Sequence, residues 1–173
     1  LSIGQGELLL TPIQLANVAA TIGNKGWFYT PHVVHNIESE EIDELYRTKR
    51  YTGIDSSYFS IVQDGMEMAV WGTDGSTARG AQIADIRVCG KTGTAQNPHG
   101  KDHSIFMAFA PKENPEIAIS VYVENAGFGG TWAAPIASLM IEKFIKGEIS
   151  DTPQRKWTEK RILEAQFNNE KQQ

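Results

Sequence analysis

Residues 89–124 read CGKTGTAQNPHGKDHSIFMAFAPKENPEIAISVYVE, and the fold turns on how they alternate. The pattern predicts three strands, over residues 86–96, 103–110 and 116–124. PKENP reads as a tight hairpin turn between the last two. In EIAISVYVE, Ile117, Ile119, Val121 and Val123 share one face, with Ala118, Ser120 and Tyr122 opposite. In SIFMAFAP both faces are apolar or small. A sheet apolar on both faces needs cover on both.

Three helices can supply it. Residues 11–26 carry a capping Thr11, Pro12 in the first turn, and Leu15, Val18, Ala19 and Ile22 at helical spacing. Residues 56–71 begin at a capping Ser56 and place Phe59, Val62, Met66 and Ala69 on one stripe. Residues 131–146 tolerate Pro135 near the first turn. The third helix covers one sheet face and the first two cover the other. The expected class is α+β, an antiparallel sheet covered by helices on both faces. Between these elements, WFYTPHVVHNI at 27–37 reads as an extended strand, 38–54 as a surface loop or short hairpin, and GTDGSTARG at 72–80 as a flexible link. After Gly147 the chain turns polar, with a short helix in TEKRILEAQ and a frayed end. The division is 1–147 and a polar tail, 148–173.

The 173 residues suit one domain or a large part of one, and 40% hydrophobic content is enough for a core. A net charge of −5 with interleaved signs and no basic stripe excludes a nucleic-acid partner. The single cysteine, Cys89, excludes an internal disulfide and reads as a buried, inert thiol. No run approaches the roughly 20 apolar residues of a membrane span. With no initiator methionine, the chain reads as part of something longer.

Lys91-Thr92-Gly93-Thr94 interrupts the apolar pattern. On a strand, Thr92 and Thr94 share one face, and Lys91 and Gly93 the other. Paired hydroxyls with a nearby ammonium suit a carboxylate. Gly93 lets another group approach the backbone, and a free strand edge adds N–H donors of the kind that stabilise an oxyanion. Lysine and threonine on an edge strand can equally do no more than block aggregation, so the tetrapeptide alone leaves both readings open. A phosphate-binding loop is excluded: Asp85 stands where its first glycine belongs, and Pro98 and Gly100 follow where a helix should. His99 and His103 read as solvent-exposed loop residues rather than a metal pair, and no metal or cofactor is called for. Glu41, Asp43 and Glu44 read as a solvated face. Trp71, Trp132 and Phe128 could edge a cleft, but core packing is the favoured role.

Lys91-Thr92-Gly93 resembles the third motif of the penicillin-recognising serine enzymes. SIGQGELLLTPIQLANVAATIGNKGWFYTPHVV at 2–34, together with GKTGTAQ and the strands and helix after it, is similar to class B penicillin-binding proteins. The GQGE…TPIQ form is most similar to the elongation-type group, penicillin-binding protein 2. The resemblance covers about residues 1–35 and 57–147. It implies the C-terminal part of a transpeptidase domain with a partial serine β-lactamase/transpeptidase-like fold. It implies a peptidoglycan D,D-transpeptidase that crosslinks stem peptides ending in D-Ala-D-Ala through a serine acyl-enzyme and binds β-lactams. By the same resemblance, Lys91 supplies positive charge, the Thr92 and Thr94 hydroxyls hold the substrate carboxylate beside Gly93, and the Thr94 N–H donates to the oxyanion. It also implies an extracytoplasmic location, an upstream membrane anchor and contacts with cell-wall elongation proteins. The pattern departs in one respect: no serine here has lysine three residues on or asparagine two on. The isolated chain is therefore expected to be inactive, and to self-associate through an exposed strand edge. The alternatives are a β-lactam sensor domain or a catalytically silent cell-wall scaffold of the same fold.

Overall fold

Three antiparallel strands, β3 (Cys89–Ala95), β4 (His103–Ala110) and β5 (Ile117–Val123), are ordered β3-β4-β5 with β4 central. They belong to a computed structural model that describes residues 5–6, 8–34, 38 and 41–165. Around them run α1 (Pro12–Gly23), β1 (Trp27–Phe28), α2 (Glu44–Arg47), β2 (Arg50–Tyr51), α3 (Ser56–Trp71), a 3₁₀ turn (Arg79–Ala81), α4 (Ala133–Lys146) and α5 (Pro153–Leu163).

The register separates two faces. Phe106 lies opposite Thr92 and Val121, and Ala108 opposite Gly90 and Ile119. That face packs on Ala133, Ala134, Ala137 and Ile141 of α4, with Val70 of α3 joining the same core. On the other face Phe109 lies opposite Cys89 and Ala118, and these pack with Met66 of α3 and Ile22 of α1. The sheet is thus covered by helices on both faces, as its double-sided apolar pattern requires. Phe106 and Phe109 are both fully buried, one toward each layer. Each such side chain contributes about 1.5–3 kcal/mol of burial.

Local sequence explains most element ends. Gln14 Oε1 accepts the Thr11 N–H at 2.8 Å at the start of α1. Gly147 closes α4 at φ 78°, a left-handed conformation that costs glycine little. Several expectations are corrected. Asp55, not Ser56, caps α3, its carboxylate accepting from Ser57 N at 2.8 Å. That hydrogen bond, with the Ser57 hydroxyl bond ahead of it, lowers the Asp55 pKa. The buried stripe of α3 is Phe59, Gln63, Met66 and Val70. Val62 is exposed and Ala69 only half-buried, because Gln63 turns inward to donate to the carbonyls of Ile22 and Gly23. Val18 of α1 is exposed as well. The strand expected over 27–37 shrinks to Trp27–Phe28, and residues 35–37 lie outside the described residues. Its partner is β2, so the surface segment contains a short helix and a strand. Asp43 caps that helix through Leu45 N at 2.8 Å.

The 72–80 link, expected to be flexible, carries specific hydrogen bonds. Ser76 Oγ donates to Ala69 O at 2.7 Å and Val70 O at 3.1 Å, and Ala78 N donates to Ala69 O at 2.9 Å. Those bonds hold the link against the end of α3. The tail helix starts earlier than TEKRILEAQ suggests, because Thr152 Oγ1 caps it and Pro153 opens it. The fraying expected at the end falls on residues 166–173, outside the described residues.

Candidate active site

β3 is an edge strand among the described residues, and its free side carries the polar chemistry. Lys91 and Gly93 lie opposite Met107 and Ile105, on the α1 face. Thr92 and Thr94 lie opposite Phe106 and Ser104, on the α4 face. The alternation expected from the sequence is therefore present. Its consequence is that the hydroxyls and the ammonium do not leave the strand on the same side. Lys91 closes the gap by curling round the edge, where its Nζ donates to Thr92 O at 2.7 Å.

The main chain at this edge points outward at alternate residues. Gln5 marks it: its Nε2 donates to Thr94 O at 3.5 Å and its Oε1 accepts from Gln96 N at 3.2 Å. A side-chain amide thus pairs with β3 as a neighbouring strand would. Because the N–H and C=O of one strand residue point to the same side, the Thr94 N–H also faces the open edge. Sequence reading did not single out Gln5. Its only signal was membership in the GQGE stretch.

A crevice of about 590 Å³ runs along this edge. Lys91–Ala95 form one wall, the leucines at 8–10 and Leu15 another, and Ile105, Met107 and Tyr122 the floor. Apolar walls with a few convergent polar groups are the usual composition of a small-ligand site. Leu9 is 90% exposed, so the leucine wall has no packing partner on its outer side among the described residues.

Beneath the strand, Thr92 Oγ1 donates to Thr77 Oγ1 at 3.1 Å. Ser104 Oγ donates to Phe128 O at 2.9 Å and accepts from Ala133 N at 3.1 Å. These bonds draw the 128–133 segment under the β3–β4 pair. Gly129 is needed there, since a side chain would collide with Ile105 O and the Gly93 backbone.

The remaining candidates fall outside the crevice. Cys89 is fully buried, and burial first, then the nearby Glu67 carboxylate, pushes its thiol up to about 12. His103 is not an exposed loop residue: it opens β4, its Nδ1 accepts from Asn125 N at 3.1 Å, and its ring lies 5.3 Å from that of Tyr122. Phe128, expected to pack inside, is 72% exposed. Trp71 packs against the core under the Arg87 guanidinium at 4.6 Å, and the Arg161 guanidinium lies 4.4 Å from the ring of Trp132. Glu41, Asp43 and Glu44 are exposed.

Comparison with known proteins matches residues 1–142 to the family model described as the penicillin binding protein transpeptidase domain. The chain belongs to that family. It is 33% identical over 158 residues to the peptidoglycan D,D-transpeptidase PbpA of Mycobacterium tuberculosis, covering 85% of this chain and 32% of that protein. Among solved structures it is similar to Pseudomonas aeruginosa PBP2 in complex with WCK 5153, with a TM-score of 0.69 and 35% identity over 86% of this chain and 33% of that one. It is also similar to an imipenem acyl-enzyme of penicillin-binding protein A from M. tuberculosis, with a TM-score of 0.68 and 28% identity over 83% of this chain and 33% of that one. The fold is accordingly that of the serine β-lactamase/transpeptidase group, and the relatives are of the class B, PBP2 type. The chain spans about a third of the length of these relatives.

Proposed function

We propose that this chain forms the Lys-Thr-Gly-Thr wall of the acyl-transfer site in a peptidoglycan D,D-transpeptidase. The observation that carries the reading is the open edge of β3, where the Lys91 ammonium and the outward Thr94 N–H meet at one crevice. In this reading a stem peptide ending in D-Ala-D-Ala lies along the edge. The Thr92 and Thr94 hydroxyls hold its terminal carboxylate, and Lys91 supplies the compensating charge. Gly93 keeps the backbone approachable. A serine outside this chain attacks the penultimate carbonyl, D-alanine leaves, and an amine of a second stem peptide takes the acyl group. The Thr94 N–H donates to the oxyanion at both stages. A β-lactam occupies the same place, and its acyl-enzyme persists.

The family's extracytoplasmic setting and an anchored longer protein go with this activity. No helix among the described residues is long and apolar enough to cross a membrane. The exposed edge of β3 and the bare leucine wall support self-association of the isolated chain. A fluorescent penicillin tests the function. The full-length gene product should be labelled covalently and the isolated 173-residue chain should not. Stoichiometric labelling of the isolated chain, or none of the full-length protein, would refute the reading. Light scattering on the isolated chain checks self-association, and a monomer at high concentration would count against it.

A further inference from the structure

Thr92 has a partner that the Lys-Thr-Gly-Thr motif does not include. Its hydroxyl meets Thr77 Oγ1 at 3.1 Å, across 15 positions of sequence. Thr77 is held from both sides. Ser76 is bound to the carbonyls of Ala69 and Val70, and the fully buried Ala78 donates its N–H to Ala69 O. Gln82 Nε2 adds a further bond to Val70 O at 2.8 Å. Gly130 lies against Thr77 O so closely that any side chain there would collide with it. Thr77 is itself exposed, but its backbone is held on both sides, so its hydroxyl meets Thr92 from a constrained main chain.

Each hydroxyl has one proton and two lone pairs. In the pair as it stands, Thr92 donates to Thr77. Once Thr92 gives its proton to a carboxylate it needs a new donor behind it, and Thr77 is placed to be that donor. We propose that Thr77 is a positioning residue for carboxylate capture: it fixes the Thr92 rotamer and, on binding, reverses its hydrogen bond so that Thr77 donates to Thr92 and Thr92 to the anion. Two hydroxyls in series polarise one another and strengthen the terminal donor. The contribution is specific to an anionic ligand end, because a neutral ester or amide draws far less on that donor. This rests on the reading of Thr92 as a carboxylate-binding residue.

The test uses the full-length protein, with benzylpenicillin and its methyl ester as probes. Thr77→Val keeps the shape and removes the hydroxyl, while Thr77→Ser keeps the hydroxyl. Thr77→Val should lower acylation efficiency toward benzylpenicillin roughly three- to tenfold, the range of one neutral hydrogen bond. The loss should appear as weaker capture at unchanged maximal rate. Thr77→Ser should restore most of it, and the methyl ester should acylate wild type and Thr77→Val equally well. Wild-type efficiency in Thr77→Val overturns the inference, as does an equal loss for acid and ester or a failure of Thr77→Ser to rescue. A wild-type protein that takes up neither probe overturns the transpeptidase reading itself, and this inference with it.

Discussion

The free edge of β3 and the junction of α4 with α5 are both clusters of hydroxyls, cations and hydrogen-bond acceptors, yet they use them in opposite ways. At the junction nearly everything is paired and enclosed. Glu142 is 1% exposed and accepts from Ser150 Oγ at 2.6 Å, Arg155 Nε at 2.6 Å and Lys146 Nζ at 3.4 Å. Arg155 also donates to Ser138 Oγ at 3.0 Å, and of the cluster's buried side-chain atoms only its Nη2 lacks a partner. At the edge, Lys91 is exposed and the outward main-chain groups are only partly matched, by Lys91 and Gln5. A saturated cluster holds two helices together. A half-saturated one on an open strand keeps capacity for a ligand. Deleting a group should therefore cost stability at the first and ligand capture at the second.

The largest expected effect is Glu142→Ala, which strands Arg155 in the interior. It should cost about 3–5 kcal/mol in urea unfolding, the usual penalty for breaking a buried pair. A loss under about 1 kcal/mol would mean that the junction is not a structural lock. Acid probes the same pair. Burial pushes the Glu142 carboxyl up, but hydrogen bonds from Ser150, Arg155 and Lys146 and the Arg155 charge outweigh it, so the net displacement is downward. A carboxyl lowered on folding stabilises above its unfolded pKa, and that stability is lost as pH falls through the folded one. Wild type should thus lose more stability than Glu142→Ala on acidification below the ordinary glutamate range, and parallel pH profiles would contradict the pairing.

At the edge, Lys91→Met in the full-length protein should reduce penicillin acylation about ten- to a hundredfold, as for a charged hydrogen-bond donor. Its urea midpoint should stay close to wild type. A large stability loss with unchanged acylation would reverse the comparison. Gln5→Met should have a smaller effect, about two- to tenfold on acylation, because it removes only the neutral amide that aligns Thr94 and Gln96. The smallest expected signal is at Cys89. With its thiol pushed up to about 12 and no exposed surface, it should resist iodoacetamide at pH 8 until the protein unfolds. Rapid labelling of native protein would show that the start of β3 opens readily.

Periodicity along the chain determined much of this protein. A double-sided apolar run in 103–110 and alternating apolar residues in 117–123 are enough to predict β4 and β5, and the need for cover on both faces predicts the helix layers. Alternation also assigns Thr92 and Thr94 to one side of β3. Both are short-range properties, set by the geometry of one strand. Where an inward polar residue broke the apolar stripe, as Gln63 does in α3, the sequence pattern misled. The partners at the edge and at the junction were not legible at all. Thr77 reaches Thr92 across 15 residues, Gln5 reaches Thr94 across 89, and Arg155 reaches Glu142 across 13. Such pairs leave no local trace, because a hydroxyl, an amide or a guanidinium looks alike in sequence whether it faces water or another buried group. Only the packing of separate elements decides which of them meet.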